Sequence, residues 1–338
     1  MDPDKLHALP QAPNAPDGVD PTSERACVDV VVVSADMDEM TLACVTALRD
    51  LSVGRVVVVD NAFDASAGGA RETLRELATV VPLDVPHGFA AANNRGIAVA
   101  DAPYVLLLNS DVLAVAGAID ALLGALREDT GAVAAGGRLV DPDTLATQEG
   151  YRPRPFPTLA NFLVILFAIE ERWPGNPVTR RYHGERVDEQ RVQAVAQPAA
   201  AALMVRRREL EAVGGFDERF WFWFEDSDLL LRLSARGRVL YAPGAVFRHL
   251  GGGTFRRWSK VELIRSTYHG ILHYGDAHLS RLERAALGIA AVAVSLPRIV
   301  LFHFSRPQEA RAWRAVAAGG LSLLRGRRVR AIAPVSDG

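Results

Sequence analysis

The sequence predicts an α/β fold with a mostly parallel central sheet flanked by helices. Residues 28–33, 55–60 and 104–108 are nearly continuous apolar runs rich in valine or leucine, which is typical of strands buried on both faces of a parallel sheet. Apolar residues at helical spacing lie between these runs, over residues 40–51 and 70–78. This alternation of strand and helix predicts βαβ units with right-handed crossovers.

The second half of the chain continues the alternation with interruptions. The predicted elements are a helix at 119–127, strands at 132–139 and 199–205, a helix at 208–213 that ends on Gly214-Gly215, and a strand at 239–241. A proline-bearing stretch at 152–157 must leave regular structure. The apolar run at 159–169 is too short to cross a bilayer, so it is either a core helix or a lid that faces an acceptor.

Length and composition exclude several classes of protein. The chain of 338 residues suits one large α/β domain with extensions. Its 38 basic and 40 acidic residues give a formal charge of -2, so no global field attracts nucleic acid, and nucleic acid is not an expected partner. Cys27 and Cys44 are too few for a disulfide framework and lack metal-type spacing, which favours a reducing cytoplasm.

The two ends of the chain differ in character. Residues 1–25 contain acids and prolines instead of the basic start and apolar core of a secretory signal, and we expect a flexible arm there. Residues 287–304 are apolar but broken at Pro297 and Arg298, which favours an interfacial helix on the inner membrane face over a membrane span. The arginines around this segment suit an anionic lipid surface, although a buried helix followed by a solvated basic tail is the alternative. These arginines are Arg281, Arg284, Arg306, Arg311, Arg314, Arg325, Arg327, Arg328 and Arg330.

The most informative segment is residues 214–228, where carboxylates lie at both ends of an aromatic block. A carboxylate beside apolar rings loses solvation, so its pKa tends to rise, and a base nearer neutrality can take a proton from a hydroxyl. Asp226 is the candidate base. The alternative is an amphipathic helix start, with Asp217 and Glu218 near its N-terminus and the aromatic rings in the core.

Short polar side chains follow the predicted strands at residues 34–36, at Asp60 and at residues 109–111. In such sheets ligands bind outside the carboxyl ends of the strands, so these side chains converge on one edge. Asp111 offers a hard oxygen ligand for a divalent cation on a diphosphate, although Asn-Ser-Asp is also ordinary turn and capping sequence. His249 precedes the glycine-rich residues 251–254; it either joins that cation or only makes local hydrogen bonds.

Several segments, in this order, resemble the signature of the family 2 inverting glycosyltransferases, which have the GT-A fold. Besides residues 214–228 they are Val57-Val58-Val59-Asp60-Asn61, Gly88-Phe89-Ala90-Ala91-Ala92-Asn93-Asn94-Arg95-Gly96, Leu106-Leu107-Leu108-Asn109-Ser110-Asp111 and Arg248-His249. The resemblance runs from about residue 28 to about residue 274. Within the family the chain looks most like bacterial rhamnosyltransferase-type proteins, which have Asn-x-Asp where others have Asp-x-Asp.

The resemblance implies transfer of a sugar from a nucleotide-diphosphate donor, dTDP-rhamnose or a UDP-sugar, to a hydroxyl acceptor such as a lipid-linked or cell-surface polysaccharide precursor. It implies that Asp226 deprotonates the acceptor and that Asp111 and His249 hold Mg²⁺ or Mn²⁺. The nucleotide-binding residues would be Ser34, Asp36, Asp60, Asn94 and Asn109, and the acceptor-binding residues would be Trp221, Trp223 and Glu225. Two alternatives stay open: Asn94 caps a helix instead, and the tryptophans pack in the core.

We expect four segments along the chain. They are the arm at 1–25, a nucleotide-binding half at 26–140, an acceptor and catalytic half at 141–275, and a helical, basic C-terminal extension at 276–338. A homodimer is compatible with the sequence, which does not fix the oligomeric state.

Two other functions compete with sugar transfer. A nucleotidyltransferase also joins an α/β sheet to metal-bound carboxylates, but residues 34–37 lack the glycine-rich, Lys- or Arg-bearing loop that it needs. An inactive GT-A-like binding scaffold is the second alternative. Asp111 and Asp226 argue against an inactive scaffold, whereas the uncharged Asn109 leaves it open.

Overall fold

The structure, a computed structural model, describes residues 27–51, 53–61, 70–183, 187–251 and 258–330. The expected arm at 1–25 and the glycine-rich residues 252–254 lie outside this range. In chain order the elements are β1 (Val28–Ser34), α1 (Glu39–Leu48), β2 (Val56–Asp60), α2 (Arg71–Leu77), β3 (Thr79–Pro82), α3 (Phe89–Ile97), β4 (Tyr104–Asn109), β5 (Val112–Ala114), α4 (Ala118–Glu128), β6 (Ala132–Val140), α5 (Leu159–Leu166), α6 (Ile169–Arg172), α7 (Pro177–His183), β7 (Gln193–Ala194), β8 (Ala202–Arg206), α8 (Arg207–Ala212), α9 (Glu225–Ser234), β9 (Arg238–His249), α10 (Lys260–His278), α11 (Arg281–Phe302) and α12 (Pro307–Leu324).

One mixed sheet organises the described residues, with the strand order β3-β2-β1-β4-β8-β6-β9-β5 and with β7 paired to β9. The first four strands of this order are parallel to one another. Strand β8 runs antiparallel between β4 and β6, and β6 is parallel to β9. The carboxyl ends of β1, β2 and β4 therefore lie along one edge of the sheet, as the sequence predicts.

Both faces of the sheet are covered by helices. On one face, Leu48 of α1 and Leu122 of α4 pack with sheet residues such as Val58 and Leu106. On the other face the cluster continues from sheet residues through α5, α9 and α10 into the last two helices. The strands are buried on both sides, which explains their continuous apolar sequences.

Most predicted elements form within a few residues of their expected bounds. Strand β9 extends to His249 although only residues 239–241 read as a strand, because β5, β6 and β7 all pair with it along its length. Strand β8 starts at Ala202 instead of residue 199. Short edge strands such as β3 and β5 carry too few residues for a recognisable period.

The C-terminal region is helical, as predicted. The expected boundary between residues 275 and 276 falls inside α10, and α11 and α12 form a hairpin packed against α10. Within the described residues, α11 alone is long and apolar enough, by length and composition, to cross a membrane. Of its most apolar stretch of 18 residues, 33% is buried in the protein.

Candidate active site

A cavity of about 410 Å³ lies where the ends of β4 and β9 meet the beginning of α9. Asp111 lines it just after β4, and His249 lines it from the end of β9. Glu225 and Asp226 line it from the first turn of α9, and several side chains from residues 150–183 complete the wall. The cavity therefore brings together acids that lie more than a hundred residues apart in the chain.

The Asp111 carboxylate and the His249 ring form a pair on one wall. Oδ2 of Asp111 lies 3.4 Å from Nε2 of His249. On the other side of the ring, Oε1 of Gln148 lies 2.7 Å from Nδ1, and the Gln148 amide donates to the His249 carbonyl oxygen at 2.9 Å. Tyr151 packs edge-on against the ring at 4.4 Å. Since Gln148 holds Nδ1, the free edge of the imidazole is directed at Asp111.

This pair suits a divalent cation whose remaining ligands come from a bound substrate. A carboxylate oxygen and an imidazole nitrogen are both ligands for Mn²⁺, and the carboxylate is one for Mg²⁺. In the described ranges no group of three His, Cys, Asp or Glu side chains could hold a metal ion. Because Mg²⁺ in nucleotide sites is bound by one or two carboxylates plus substrate phosphates, two protein ligands are consistent with a diphosphate-dependent site. Asn109 also lines the cavity and adds no charge.

Asp226 also lines the cavity, from the first turn of α9. Its Oδ1 accepts a hydrogen bond from the backbone N–H of Ser227 at 2.7 Å. Its Oδ2 lies 3.9 Å from Nη2 of Arg154, whose guanidinium also stacks over the Tyr182 ring at 5.5 Å. The side chain is 25% exposed. The hydrogen bond to Oδ1 therefore orients the carboxylate, and Oδ2 is the oxygen that a substrate in the cavity would reach.

A strained turn sets the start of α9. Trp223 and Phe224 have φ values of 75° and 69°, which is unusual for bulky residues and is a conformation that clusters at functional sites. Gly270 of α10 permits this turn, since a Cβ atom at that position would lie 2.6 Å from the Trp223 carbonyl oxygen. The Phe224 ring packs on Phe162 of α5 at 5.4 Å. Together these contacts fix the position from which Asp226 projects.

Glu225 shares the wall with Asp226 but has a different environment. Its side chain is 5% exposed, and its buried Oε2 has no hydrogen-bond partner among the described residues. Burial, with the neighbouring Asp226 charge as the next cause, raises the pKa of Glu225 to about 8. Glu225 therefore keeps its proton at neutral pH, which leaves Asp226 as the candidate base of the two.

The third acid of this segment, Asp228, anchors the helix and does not line the cavity. Arg232 donates to its Oδ2 from Nε at 2.9 Å, and Nη1 of Arg232 donates to the carbonyl oxygens of Val213 and Gly215 at 2.8 Å. Nε2 of His278, the last residue of α10, lies 2.7 Å from the other oxygen of Asp228. These contacts tie α9 to the turn before the aromatic block and to α10.

Three residues predicted to bind the nucleotide surround the strand ends without lining this cavity. The hydroxyl of Ser34 is fully buried, accepts a hydrogen bond from the Met37 backbone N–H and lies 2.8 Å from Oγ1 of Thr41. Asp60 is buried and pairs with Arg71 at 2.7 Å. Asp36 is half-buried in the bend after β1. Their role toward a nucleotide stays a prediction.

Asn94 does not open or cap a helix, so that interpretation is wrong. Helix α3 begins at Phe89, and Asn94 lies in its second turn. The Asn94 side chain accepts from the Phe216 N–H and donates to the Phe216 carbonyl oxygen, both at 2.9 Å. These two hydrogen bonds hold the loop that leads into the aromatic block.

The two predicted acceptor tryptophans have different environments. Trp223 is 38% exposed and lines the cavity. Trp221 is not among the lining residues; its carbonyl oxygen accepts a hydrogen bond from the Phe89 N–H at 2.7 Å. Gly88 permits this contact because a Cβ atom there would lie 2.8 Å from the Trp221 backbone. The glycine before α3 therefore allows the backbone of the aromatic block to approach the start of this helix closely.

Sequence reasoning missed the residues that come from irregular segments. Gln148, Arg154 and Tyr182 lie in or near the proline-bearing stretch and α7, where no periodic pattern marks them. Gly270 interrupts the apolar spacing of α10, and an isolated glycine in a helix is a signal of close packing that could have been used.

Comparison with known proteins gives a family match and two curated relatives. Residues 29–186 match the model of the family described as Glycosyl transferase family 2. Over 182 residues the chain is 33% identical to an N-acetylglucosaminyl-diphospho-decaprenol L-rhamnosyltransferase of Mycobacterium tuberculosis H37Rv, covering 50% of this chain and 58% of that protein. Over 270 residues it is 28% identical to a pre-mycofactocin glycosyltransferase of the same strain, covering 79% and 49%. The matches thus span only 49% to 58% of these relatives' lengths.

A solved structure shows the fold. The crystal structure of GalNAc-T7 with UDP, GalNAc and Mn²⁺ aligns with a TM-score of 0.53 and 13% identity over 74% of this chain and 48% of that chain. At such identity the likeness establishes the fold alone. The predicted GT-A fold is confirmed.

Proposed function

The chain carries a glycosyl transferase family 2 domain, and we propose that it transfers a sugar from a nucleotide-diphosphate donor to a hydroxyl acceptor with inversion at the anomeric carbon. One observation carries the proposal: Asp226 lines the same cavity as the Asp111–His249 pair. A base and a pair of diphosphate-binding residues that line one cavity are what a single displacement requires.

In this mechanism Asp226 accepts the proton of the acceptor hydroxyl as the acceptor oxygen bonds to the anomeric carbon. The bond from that carbon to the β-phosphate oxygen breaks, and the nucleoside diphosphate leaves with the electron pair. Attack from the face opposite the leaving group inverts the anomeric configuration. Arg154, 3.9 Å from Asp226, is placed to orient the carboxylate before the proton moves.

Asp111 and His249 are the residues that would hold Mg²⁺ or Mn²⁺, and Asn109 adds an uncharged polar contact near the ribose. A bound cation would neutralise the charge that develops on the diphosphate. Gln148 keeps the His249 ring in place, so that the ring does not have to reorganise when the donor binds.

The donor and acceptor follow from the resemblance to rhamnosyltransferases. We infer dTDP-rhamnose or a UDP-sugar as donor and a lipid-linked or cell-surface polysaccharide precursor as acceptor, in the cytoplasm or at the inner membrane face. One relative is named for N-acetylglucosaminyl-diphospho-decaprenol, which supports a lipid-linked acceptor. Residues 26–140 would bind the nucleotide and residues 141–275 the acceptor. Trp223 supplies a flat apolar surface for a sugar ring beside Glu225.

A donor screen tests the proposal. The purified chain is incubated with Mn²⁺ and a panel of UDP- and dTDP-sugars, and released nucleoside diphosphate is measured with and without a polyprenyl-diphosphate-sugar acceptor. We expect acceptor-stimulated release with one donor, and a product of inverted anomeric configuration by NMR. Formation of nucleoside triphosphate and sugar 1-phosphate from the nucleotide sugar when inorganic diphosphate is added would instead identify a nucleotidyltransferase, and a product that retains the donor configuration would exclude single displacement.

A further inference from the structure

Helix α11 presents an apolar outer strip. The strip comprises side chains that are 55% to 92% exposed: Leu282, Ile289, Leu296, Val300, Leu301 and Phe304, the last just beyond the helix. Residues 282, 289 and 296 are seven apart and therefore lie on one side of the helix. After Arg281, every exposed residue of α11 is uncharged. Contiguous exposed apolar surface of this kind marks an interaction site.

The other sides of α11 are already covered. The backbones of α11 and α12 cross closely at Gly288 and Gly320, where a Cβ atom on either glycine would lie less than 3 Å from the other's carbonyl oxygen. Leu287 packs against Gly275 of α10. The strip is thus the face that the other described residues leave open.

The hairpin is suited to lie on a membrane and not to cross it. Arg298 of α11 stacks over Trp313 of α12 at 4.7 Å, and α12 exposes Arg311 and Arg314 in its second turn. Because α11 and α12 are packed along their length, a spanning α11 would take these arginines into the hydrocarbon, where charges are costly. At the interface the same arginines reach lipid phosphates.

The charge of this region points to an anionic partner. Residues 281–330 contain ten arginines against two glutamates, Glu283 and Glu309, with no lysine or aspartate. Glu309 is buried beside Arg306 and Lys260, so it adds little negative charge to the surface. A second copy of this chain would bring like-charged surfaces together across a symmetric interface, which is unfavourable.

We propose that the strip and its arginines dock the protein on the surface of an anionic lipid bilayer. Helix α5 packs against α11 and contributes Asn161, Val164 and Ile165 to the cavity lining, so only one helix separates the strip from the candidate active site. This arrangement, which rests on the proposed function, lets a lipid-linked acceptor keep its chain in the bilayer while its sugar enters the cavity.

Vesicle sedimentation with surface variants of the full chain tests the docking. The strip variant is Ile289→Gln, Leu296→Gln and Val300→Gln combined. Its matched control is Val85→Gln, Leu145→Gln and Val192→Gln combined, which changes side chains of similar exposure, 50% to 58%, away from α11. A third variant combines Arg311→Gln, Arg325→Gln and Arg327→Gln. Vesicles are phosphatidylglycerol with phosphatidylcholine, or phosphatidylcholine alone.

We expect the wild type and the control to sediment with anionic vesicles, less at high salt and little with phosphatidylcholine alone. Each lost apolar side chain weakens binding by about tenfold, so the strip variant stays in the supernatant. The arginine variant loses most of the preference for anionic vesicles. Donor hydrolysis without vesicles is measured on the same samples and stays unchanged, so failure to dock is distinguishable from failure of the proposed function.

Two results would overturn the docking proposal. In the first, the wild type remains in the supernatant or the strip variant sediments as well as the control. In the second, the wild type elutes as a dimer that the strip variant dissociates, with no vesicle binding by either, and the strip is then an interface between copies.

Discussion

Asp226 and Glu225 are adjacent acids with different tasks in the proposed reaction. Asp226→Asn keeps the shape of the side chain but cannot accept a proton, so we expect turnover to fall by about 10²–10⁴-fold with donor affinity nearly unchanged. Steady-state kinetics and calorimetric donor titration measure the two quantities. Asp120→Asn, on the exposed side of α4, is the control and should behave as wild type. Turnover close to normal in Asp226→Asn would remove Asp226 as the base.

The pKa of Glu225 gives a pH-dependent prediction about stability. Its carboxyl keeps a proton up to about pH 8 when folded but loses it near its ordinary value of 4.5 when unfolded. Stability from this group is thus fully present below about pH 4.5 and is lost as pH rises through about 8. Glu225→Gln abolishes this loss. The unfolding free energy of the variant, relative to that of the wild type, should therefore increase with rising pH, by a few kcal/mol in total.

Urea unfolding of both proteins between about pH 5 and pH 9 measures this difference. Other titratable groups line the same cavity: Asp111, Arg152, Arg154, Glu170, His183, Asp226 and His249, together with Tyr151 and Tyr182. Asp228 faces Glu225 from the next position on the same side of α9. If the two stability curves run parallel across this range, Glu225 ionises normally in the folded protein.

Asp111 and His249 predict a cation-dependent donor affinity. In Asp111→Ala the cation loses its hard oxygen ligand, and we expect donor binding in Mn²⁺ to weaken about tenfold to a hundredfold. Calorimetry with and without chelator measures the effect, and Asp120→Ala is the control. Donor affinity that is insensitive to both chelator and mutation would indicate a metal-free site.

Some of these residues were visible in the sequence and others were not. Asp60 ends an apolar run, Asp111 follows another such run after two polar residues, and Asp226 follows an aromatic block, so local composition alone marks them. Gln148 and Arg154 reach the cavity through tertiary packing of irregular segments, which leaves no periodic signal. The local sequence pattern cannot show which polar residue of an irregular segment faces the cavity.

Helix α9 depends on the turn before it, and the turn depends on α10. In Gly270→Ala the new Cβ would lie 2.6 Å from the Trp223 carbonyl oxygen, so the backbone around Trp223 and Phe224 must move. Because a displacement of about 1 Å at a reacting group can cost about a hundredfold, we expect turnover to fall by up to that factor. Kinetics and thermal unfolding together separate a displaced site from a destabilised fold.

Gly124→Ala is the matched control, since nothing lies within 4 Å of a Cβ at that position of α4. It should raise stability by about 0.5–1 kcal/mol and leave turnover unchanged. Normal turnover in Gly270→Ala would mean that the turn is held by other contacts, such as Phe224 against Phe162.

The elements themselves were largely predictable because their periods are local. The parallel strands and the helices between them follow directly from apolar spacing. The length of β9 and the existence of β5 depend on pairing between segments that are far apart in sequence, so no local pattern sets their limits. The same holds for the predicted end of the acceptor and catalytic half at residue 275, which falls inside α10.

The C-terminal hairpin is joined to the rest of the molecule by a shared core. Val294, Trp313 and Val316 belong to the same hydrophobic cluster as sheet residues such as Val31 and Leu107. The N–H of Val329, beyond α12, donates to Asp276 of α10. Truncation near residue 281 would therefore expose core surface. Surface substitutions on α11 are thus a better test of membrane docking than truncation of the hairpin.

A single core predicts that damage in α12 destabilises the whole chain. Trp313 is 4% exposed and packs against Tyr268 of α10, so Trp313→Ala should lower the free energy of unfolding by about 3–5 kcal/mol. Trp173→Ala removes a tryptophan that is 58% exposed and should change it by no more than about 0.5 kcal/mol. Denaturant unfolding is followed by far-UV circular dichroism and by nucleotide binding. We expect both probes to shift together in Trp313→Ala, because the sheet and the hairpin unfold as one unit. An early transition that leaves nucleotide binding intact would show that the hairpin is a separate domain.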